Sequence, residues 1–362
     1  MITRATLTSP AAGDPFARVA GMTVLLGQRL SLQDAGIEEI GVESLPPDRL
    51  PADPRLRIRV LAAEPGPATG FRARHGLVWH RLLPQRLVNG GFAGDLEVAA
   101  LEPHEFVVAV GDHASRERAD RLLYQSLLKP TDGVVSRYLN RPVSIWVTRQ
   151  IIETRLTPNQ MTLLAAGFGF AGIALVVAWG TAGLIPGALL VQVQSVLDGC
   201  DGEISRLKYI RSRTGEWLDQ VLDDMVNLGF FAAVGWALYQ AGSTRALLLT
   251  LPGVALHLVY QASLYSALVF RGGGSGSIAG VRWRGQRNPA TPGARRSPFR
   301  IIKETVEAAG RRDFFTLLYL LTSLLGSTEI ALTWCAVIFS VSGVTTGLQW
   351  LLYGGPDPAP KS

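Results

Sequence analysis

The sequence predicts an α-helical, polytopic membrane protein with six transmembrane helices, preceded by a small cytoplasmic α/β domain. Three observations support this fold class. The chain has 362 residues, which is enough for two domains. Its first part, to about residue 155, mixes polar and apolar residues and is rich in Arg, Asp and Glu. From about residue 157 onward, long uncharged runs alternate with short charged clusters, and about 18 apolar residues suffice to cross a bilayer as a helix.

Six uncharged runs are predicted to be membrane helices: Met161–Trp179, Thr181–Leu197, Met225–Ala241, Ala246–Phe270, Phe314–Ser327 and Ile330–Tyr353. The fifth is short for a span. Basic residues cluster before the first run, between the second and third, and between the fourth and fifth. In the other three connections, Arg245 is the only basic residue. The positive-inside rule therefore predicts an integral protein of the cell (inner) membrane, with these basic stretches and both termini in the cytoplasm.

Two further segments adjoin the predicted spans. Residues Val134–Arg155 mix apolar side chains with arginines, which predicts either a helix lying in the membrane interface or an ordinary linker helix. Residues Arg271–Pro298 are rich in Gly, Ser, Pro and Arg and are predicted to form a mobile cytoplasmic loop.

The N-terminal part has the pattern of an α/β domain. Apolar spacing predicts helices over Met22–Ala35 and Ala114–Leu128. Apolar and β-branched runs predict strands over Ile37–Val42, Arg57–Ala62 and Phe106–Val110. Because strands alternate with helices, a parallel sheet is expected.

Two pairs of aspartates flank the connection between the second and third predicted spans. Asp198 and Asp201 are three residues apart, and Asp219 and Asp223 are four apart, so each pair lies on one helix face. A short turn joins the helices, so the two faces can oppose each other near the cytoplasmic surface. Clustered carboxylates require cations among them, and hard oxygen ligands suit magnesium, manganese or calcium.

The acids could instead be ordinary helix-end charges in a loop. Their paired spacing, and the rarity of ionisable residues in membrane segments, favour a metal site. Two ions roughly 3.5–4 Å apart can hold a pyrophosphate during an in-line displacement. Gly202 and Gly215 would let a nucleotide approach the backbone, and Arg206 could contact a phosphate.

The same residues resemble a known signature. The segment Asp198-Gly-Cys-Asp201-Gly202-Glu-Ile-Ser205-Arg206, followed after eight residues by Gly215-Glu-Trp-Leu-Asp219-Gln-Val-Leu-Asp223, resembles D-x-x-D-G-x-x-A-R…G-x-x-x-D-x-x-x-D of the CDP-alcohol phosphotransferase family. Only Ser205 departs from the pattern, where the family has Ala. The segment Thr157-Pro158-Asn159-Gln-Met-Thr162 is similar to the family's entry into its first helix, and Arg312-Asp313-Phe314-Phe315 is a weaker similarity.

The resemblance implies transfer of a phosphoalcohol group from a CDP-alcohol to a hydroxyl acceptor, with release of CMP. It implies two Mg²⁺ or Mn²⁺ ions, a general base at Asp223 and a homodimer in the lipid membrane. The implied metal ligands are Asp198, Asp201, Asp219 and Asp223. The implied CDP-binding residues are Asp198, Gly202, Ser205, Arg206 and Gly215. Lys303, Arg311 and Arg312 could hold an acceptor phosphate, although topology signals would also explain them.

Residues 15–128 resemble the cytidylyltransferase-like domain that is fused to some members of this family. The likeness is carried by Val19-Ala-Gly-Met-Thr-Val-Leu-Leu and Ala35-Gly-Ile-Glu-Glu-Ile. A working nucleotidyltransferase needs a Gly-rich, basic phosphate loop after its first strand. We find neither that loop nor that strand ahead of Val19, and no acidic residue around Val78-Trp79-His80. The sequence therefore predicts a truncated, degenerate domain without cytidylyltransferase activity.

The resulting organisation is a degenerate domain over 15–128, a juxtamembrane segment over 129–156 and a phosphotransferase domain over 157–355. The fused domain favours CDP-inositol as donor and an inositol phosphate as acceptor. The alternatives are a phospholipid synthase that uses CDP-diacylglycerol, and a catalytically silent membrane scaffold. The net charge is +6, and the charged residues cluster beside the apolar runs. This placement is typical of membrane topology, so no nucleic-acid partner is expected.

Overall fold

The computed structural model describes residues 2–9, 13–45, 49–61, 70–129, 132–270 and 310–353. The chain divides into two compact units. One comprises Met1–Pro130, Ile145–Leu156 and Gly202–Ile210, and the other comprises Thr131–Ser144, Thr157–Asp201 and Arg211–Ser362. The predicted loop Arg271–Pro298 and the candidate residue Lys303 lie outside the described residues.

The first unit contains the α/β domain. Its strands are β1 Arg4–Thr8, β2 Arg18–Val19, β3 Met22–Thr23, β4 Glu39–Val42, β5 Arg59–Leu61, β6 Phe71–Arg74, β7 Leu77–Trp79, β8 Gly94–Asp95 and β9 Val107–Ala109. Its helices are α1 Val24–Asp34, α2 Leu83–Asn89 and α3 His113–Gln125. Five strands form one sheet in the order β5-β4-β1-β6-β8, and every neighbouring pair is parallel. The predicted parallel sheet is confirmed.

Strand β1 shows that one prediction was wrong. We expected no strand ahead of Val19, yet β1 lies in the middle of the sheet, between β4 and β6. The strand reads Arg-Ala-Thr-Leu-Thr, in which only Ala5 and Leu7 are buried. A central strand of a parallel sheet is expected to be a continuous apolar run, and this alternating segment does not fit that expectation.

Strand β9 differs from the expectation in its pairing. It forms a separate antiparallel pair with β7 and does not join the parallel sheet. The core of the domain lies where α1 packs on the sheet. Leu25 and Leu32, two helical turns apart on α1, cluster with Leu7, Ile40 and Phe71 of the strands. Full burial of one such side chain contributes about 1.5–3 kcal/mol, so this face holds the helix on the sheet.

The helices that follow α3 are α4 Arg141–Ile151, α5 Pro158–Trp179, α6 Leu184–Lys208, α7 Arg213–Gln240, α8 Thr244–Phe270, α9 Arg312–Leu324 and α10 Glu329–Tyr353. A π-helical turn over Ser136–Asn140 leads into α4, so the segment predicted to be either an interfacial or a linker helix is helical as far as Ile151. Each of the six predicted membrane runs contains an α-helix, and the fifth run extends three residues beyond its helix, which ends at Leu324.

Four stretches of the described residues are long and apolar enough to cross a membrane: Pro158–Lys208, Arg213–Gln240, Thr244–Val269 and Glu329–Leu352. The first contains both α5 and α6, joined by a 3₁₀ turn over Gly180–Gly183. Helix α9 has 13 residues. At 1.5 Å per residue it is about 20 Å long, shorter than a bilayer core of about 30 Å. The count of six spans is therefore not confirmed.

Glycines on α5 let the helices around the site pack closely. A Cβ on Gly172 would lie 2.7 Å from the carbonyl oxygen of Gly187 on α6, and a Cβ on Gly169 would lie 2.6 Å from Cγ1 of Val226 on α7. Small residues at such crossings are the usual means of close helix packing in membranes. Helix α5 is thereby held against both helices that carry the aspartates.

Candidate active site

Three of the four predicted metal ligands lie together. Asp198, near the end of α6, and Asp219 and Asp223, on α7, each place a carboxylate oxygen within 4.8 Å of the others. All three are partly buried. This arrangement matches the prediction that the aspartate faces of the two helices oppose each other.

A tight reversal between α6 and α7 produces this arrangement. Helix α6 ends at Lys208, and Tyr209 then adopts a left-handed backbone conformation with φ of 53°. Ser212 caps α7 by accepting a hydrogen bond from the backbone N–H of Gly215 at 3.3 Å. Ser, Thr, Asp and Asn are the preferred residues at this position because their side chains satisfy a free backbone donor.

Arg312 forms ion pairs with two of the clustered acids. Its Nη2 atom pairs with Asp198 Oδ2 and its Nη1 atom with Asp223 Oδ2. Arg312 is the first residue of α9, so a third helix contributes to the site. The sequence suggested a phosphate contact or a topology signal for this residue, and its pairing with the acids was not foreseen.

Gln194 also contacts the cluster and was not foreseen. It lies one helical turn before Asp198, and its Nε2 atom donates a hydrogen bond to Asp223 Oδ1 at 2.9 Å. The sequence did contain a signal for it, because residues four apart on a helix share a face. Gln194 therefore occupies the same face of α6 as Asp198.

Asp201 has a different environment from the other three acids. Its Oδ2 atom accepts a hydrogen bond of 2.7 Å from the hydroxyl of Thr162 on α5, and it is not part of the cluster of three. Thr162 is buried and closes the segment Thr157–Thr162 that resembles the family's helix entry. Thr157 and Gln160 in that segment form a capping box, which fixes the start of α5.

We expect the change Thr162→Val to lower stability by about 1.5–3 kcal/mol, because it removes a buried hydrogen bond to a charged acceptor while keeping the side-chain volume. The change Thr162→Ser retains the hydroxyl and should have a much smaller effect. Thermal unfolding of the two variants in the same detergent measures the difference. Equal melting midpoints for Thr162→Val and the unmodified chain would contradict the contribution of this bond.

Asp224, next to Asp223 in sequence, does not belong to the cluster. Its Oδ2 atom accepts hydrogen bonds from the hydroxyl of Tyr265 at 2.6 Å and from Nε2 of Gln220 at 3.0 Å. Adjacent residues on a helix point in directions about 100° apart, so Asp224 faces α8.

The residues predicted to bind CDP have specific local contacts. A Cβ on Gly202 would lie 3.2 Å from Nη1 of Arg206, so the arginine side chain folds over this glycine. A Cβ on Gly215 would lie 2.5 Å from Oδ1 of Asn159. The hydroxyl of Ser205, the one departure from the family signature, donates to the carbonyl oxygen of Ile210 at 2.6 Å. That bond stabilises the end of α6 and accounts for a hydroxyl at this position.

Arg311 is placed differently from Arg312. Its Nε atom lies 3.7 Å from Oδ1 of Asp313, and its side chain lies beside Gly133. Asp313 Oδ2 also accepts a hydrogen bond from the backbone N–H of Ser136 at 2.7 Å. The beginning of α9 is therefore anchored to the segment before α4, which fixes the position of Arg312.

The cluster has the composition of a divalent cation site. Three carboxylates face one guanidinium, which leaves an excess of negative charge in a partly buried setting. Oδ1 of Asp219 is buried and has no hydrogen-bond partner among the described residues. Buried carboxylates without enough partners are costly, and hard oxygen ligands are those that Mg²⁺ and Mn²⁺ prefer. The residues therefore fit a divalent ion.

Comparison with known proteins places this site in a family. Residues 155–342 match the model of the CDP-alcohol phosphatidyltransferase family. The chain belongs to this family. The matched region contains every described residue of the aspartate cluster, together with Thr162, Gln194 and Arg312. Members of the CDP-alcohol phosphatidyltransferase family use divalent metals, in agreement with the composition of the cluster.

Two relatives match this chain over only part of their own length. A bifunctional IPC transferase and DIPP synthase of Aquifex aeolicus is 28% identical over 65% of this chain and 47% of its own length. A phosphatidylinositol phosphate synthase of Corynebacterium glutamicum is 30% identical over 36% of this chain and 57% of its own length. The chain thus spans about half the length of these two relatives.

Among solved structures, apo phosphatidylinositol phosphate synthase of Mycobacterium tuberculosis aligns with 57% of this chain and 95% of its own, at 20% identity and a TM-score of 0.39.

Proposed function

We propose that the chain is a CDP-alcohol phosphotransferase, which moves a phosphoalcohol group from a CDP-alcohol to the hydroxyl of an acceptor and releases CMP. The observation that carries this proposal is the convergence of Asp198, Asp219 and Asp223 within 4.8 Å, in a chain of the CDP-alcohol phosphatidyltransferase family. The same acids argue against a silent scaffold, because such a cluster in a membrane segment is expensive without a function.

We assign the metal ligands from the signature and the geometry together. Asp198, Asp219 and Asp223, with Asp201, would hold two Mg²⁺ or Mn²⁺ ions. When bound, the ions would neutralise negative charge on the pyrophosphate of the donor. Thr162 supports the assignment of Asp201, because its hydroxyl fixes the orientation of that carboxylate.

Asp223 is proposed as the general base. It takes the proton from the acceptor hydroxyl, and the oxygen of that hydroxyl attacks the β-phosphorus of the CDP-alcohol. The bond from that phosphorus to the bridging oxygen breaks, and CMP leaves with the electron pair. Proton transfer by a positioned side chain contributes typically about 10²–10⁴-fold to rate.

The remaining residues are assigned to substrate binding. Asp198, Gly202, Ser205, Arg206 and Gly215 are proposed to hold the CDP moiety. Lys303, Arg311 and Arg312 are proposed for the phosphate of the acceptor. Because Arg312 pairs with Asp198 and Asp223, an acceptor phosphate would compete with these acids for its guanidinium.

Two substrate classes are supported by the relatives. The name of the Aquifex aeolicus protein includes IPC transferase and DIPP synthase activities, which favours CDP-inositol with an inositol phosphate acceptor. The name of the Corynebacterium glutamicum protein favours the alternative, a phospholipid synthase that uses CDP-diacylglycerol. We favour the first, because the match to the Aquifex aeolicus protein covers the larger share of this chain.

The organisation of the chain in the cell is also a proposal. We infer a degenerate cytidylyltransferase-like domain over 15–128, a juxtamembrane segment over 129–156 and the phosphotransferase domain over 157–355. The basic loops support a cytoplasmic location for the site and both termini. A homodimer is expected for the phosphotransferase domain.

A donor screen tests the function. Purified full-length protein with Mg²⁺ or Mn²⁺ should release CMP from CDP-inositol when an inositol phosphate is present, and chelation with EDTA should stop the release. Faster turnover of CDP-diacylglycerol would select the phospholipid synthase, and no CMP release from either donor would contradict the proposal. In the same preparation, CTP with inositol phosphate should yield no pyrophosphate if the N-terminal domain is degenerate.

A further inference from the structure

The two carboxylate oxygens of Asp223 have different partners. Oδ1 accepts a hydrogen bond from Nε2 of Gln194 at 2.9 Å, and Oδ2 pairs with Nη1 of Arg312. Gln194 is a neutral donor with only 1% of its surface exposed, on the helix that also carries Asp198. Arg312 is a charged donor with 21% of its side chain exposed, at the start of another helix.

These partners differ in how readily a substrate could replace them. An anionic phosphate attracts a guanidinium strongly and can take Arg312 from Oδ2. It offers no comparable attraction for a buried neutral amide. We therefore expect a phosphorylated substrate to free Oδ2, while Oδ1 stays bonded to Gln194.

The direction of this hydrogen bond fixes the orientation of the amide. An ionised carboxylate only accepts hydrogen bonds, so the NH₂ group of the Gln194 amide must be the part that faces Asp223. A buried donor on Oδ1 holds the carboxylate in one orientation, with Oδ2 on the side of Arg312.

We propose that Gln194 is a positioning residue for Asp223, holding Oδ1 so that Oδ2 is the oxygen that receives the acceptor's proton. This proposal rests on the proposed phosphotransferase function. In the step, the O–H bond of the acceptor breaks and an O–H bond forms at Oδ2 of Asp223. The freed oxygen forms its bond to phosphorus, and CMP leaves as described above.

A second glutamine on the same helix provides a matched control. Gln192 is also buried, with 7% of its surface exposed, and its Nε2 atom donates to Oδ1 of Asn140 at 3.0 Å. It lies two residues from Gln194, so it faces away from the aspartate cluster. Replacing either glutamine with methionine removes one buried amide hydrogen bond at nearly constant volume, but only one of these bonds reaches the proposed base.

The test compares Gln194→Met with Gln192→Met in the full-length protein. We expect Gln194→Met to lower kcat for CMP release at least about ten-fold, with the KM of the CDP-alcohol within about two-fold of the unmodified chain. Binding of Mn²⁺, followed by electron paramagnetic resonance, should also stay within about three-fold. Gln192→Met should retain kcat within about two-fold.

A second variant is available if Gln194→Met does not fold. In Gln194→Asn the amide is one methylene too short to reach Asp223. The same loss of kcat is expected.

Any one of three outcomes would overturn the role of Gln194: an unchanged kcat in the Gln194 variant, an equal loss of kcat in Gln192→Met, or a loss of Mn²⁺ binding as large as the loss of kcat.

The activity of the unmodified chain distinguishes failure of this proposal from failure of the proposed function. If it releases no CMP from any CDP-alcohol, the phosphotransferase function fails and the role of Gln194 fails with it. If it is active and the Gln194 variant is equally active, only the positioning role is lost.

Discussion

Replacing Asp223 with asparagine should lower kcat for CMP release by about 10³-fold or more, while binding of CDP changes by less than about five-fold. Asparagine keeps the shape of the side chain but cannot take a proton, and loss of a general base costs about 10²–10⁴-fold. Steady-state CMP release gives kcat, and calorimetric titration with CDP gives the affinity. Loss of charge at a proposed metal ligand adds to the effect on kcat.

The adjacent residue is the control for this experiment. Asp224 carries the same charge on the same helix, but it bonds to Tyr265 and Gln220 and not to the cluster. The change Asp224→Asn should therefore leave kcat within about ten-fold of the unmodified chain. An Asp223→Asn variant that retains a tenth of the activity would show that another group is the base.

Replacing Asp219 with asparagine should weaken Mn²⁺ binding and reduce turnover at least about 100-fold, yet raise the melting midpoint measured in EDTA. Asp219 contributes negative charge to a partly buried cluster, and its Oδ1 atom has no hydrogen-bond partner among the described residues. Removing it relieves repulsion with Asp198 and Asp223 without breaking a hydrogen bond that holds the fold. Electron paramagnetic resonance of Mn²⁺ and thermal unfolding measure the two effects.

Asp313 provides the contrasting case. Its Oδ2 atom accepts a hydrogen bond from the backbone N–H of Ser136, and its Oδ1 atom lies 3.7 Å from Nε of Arg311. Asp313→Asn removes the charge that strengthens both contacts, so it should lower the melting midpoint and leave Mn²⁺ affinity unchanged. The opposite signs of the stability changes distinguish an acid kept for function from one kept for structure. If Asp219→Asn binds Mn²⁺ as tightly as the unmodified chain, Asp219 is not a metal ligand.

Arg312 explains why the acids can lie together in the structure. Its guanidinium pairs with Asp198 and Asp223, which partly offsets the repulsion within the cluster. The sequence assigned this arginine to an acceptor phosphate or to topology. Its observed pairing with Asp198 and Asp223 leads us to propose that it exchanges between these acids and a substrate phosphate. The role proposed for Gln194 is based on this exchange.

The sequence by itself determined the features that depend on local composition and spacing. The long uncharged runs predicted helices, because this prediction depends only on the length and composition of each run and not on what packs against it. The intervals between Asp198 and Asp201, and between Asp219 and Asp223, specified which residues share a helix face. The alternation of strands and helices specified a parallel sheet. Family membership also followed from the motif, since its fixed residues lie within a short stretch of chain.

Only the tertiary structure decided which distant residues meet. Arg312 and Asp198 are 114 residues apart, and Thr162 and Asp201 are 39 apart, so their contacts depend on how the helices pack. Strand β1 was recognisable only from its neighbours β4 and β6, because its own pattern is that of a half-exposed segment. The local sequence pattern determines whether a segment forms a helix or a strand and which of its residues share a face. Close packing between elements fixes the partner of each face, and a linear sequence carries that information only indirectly.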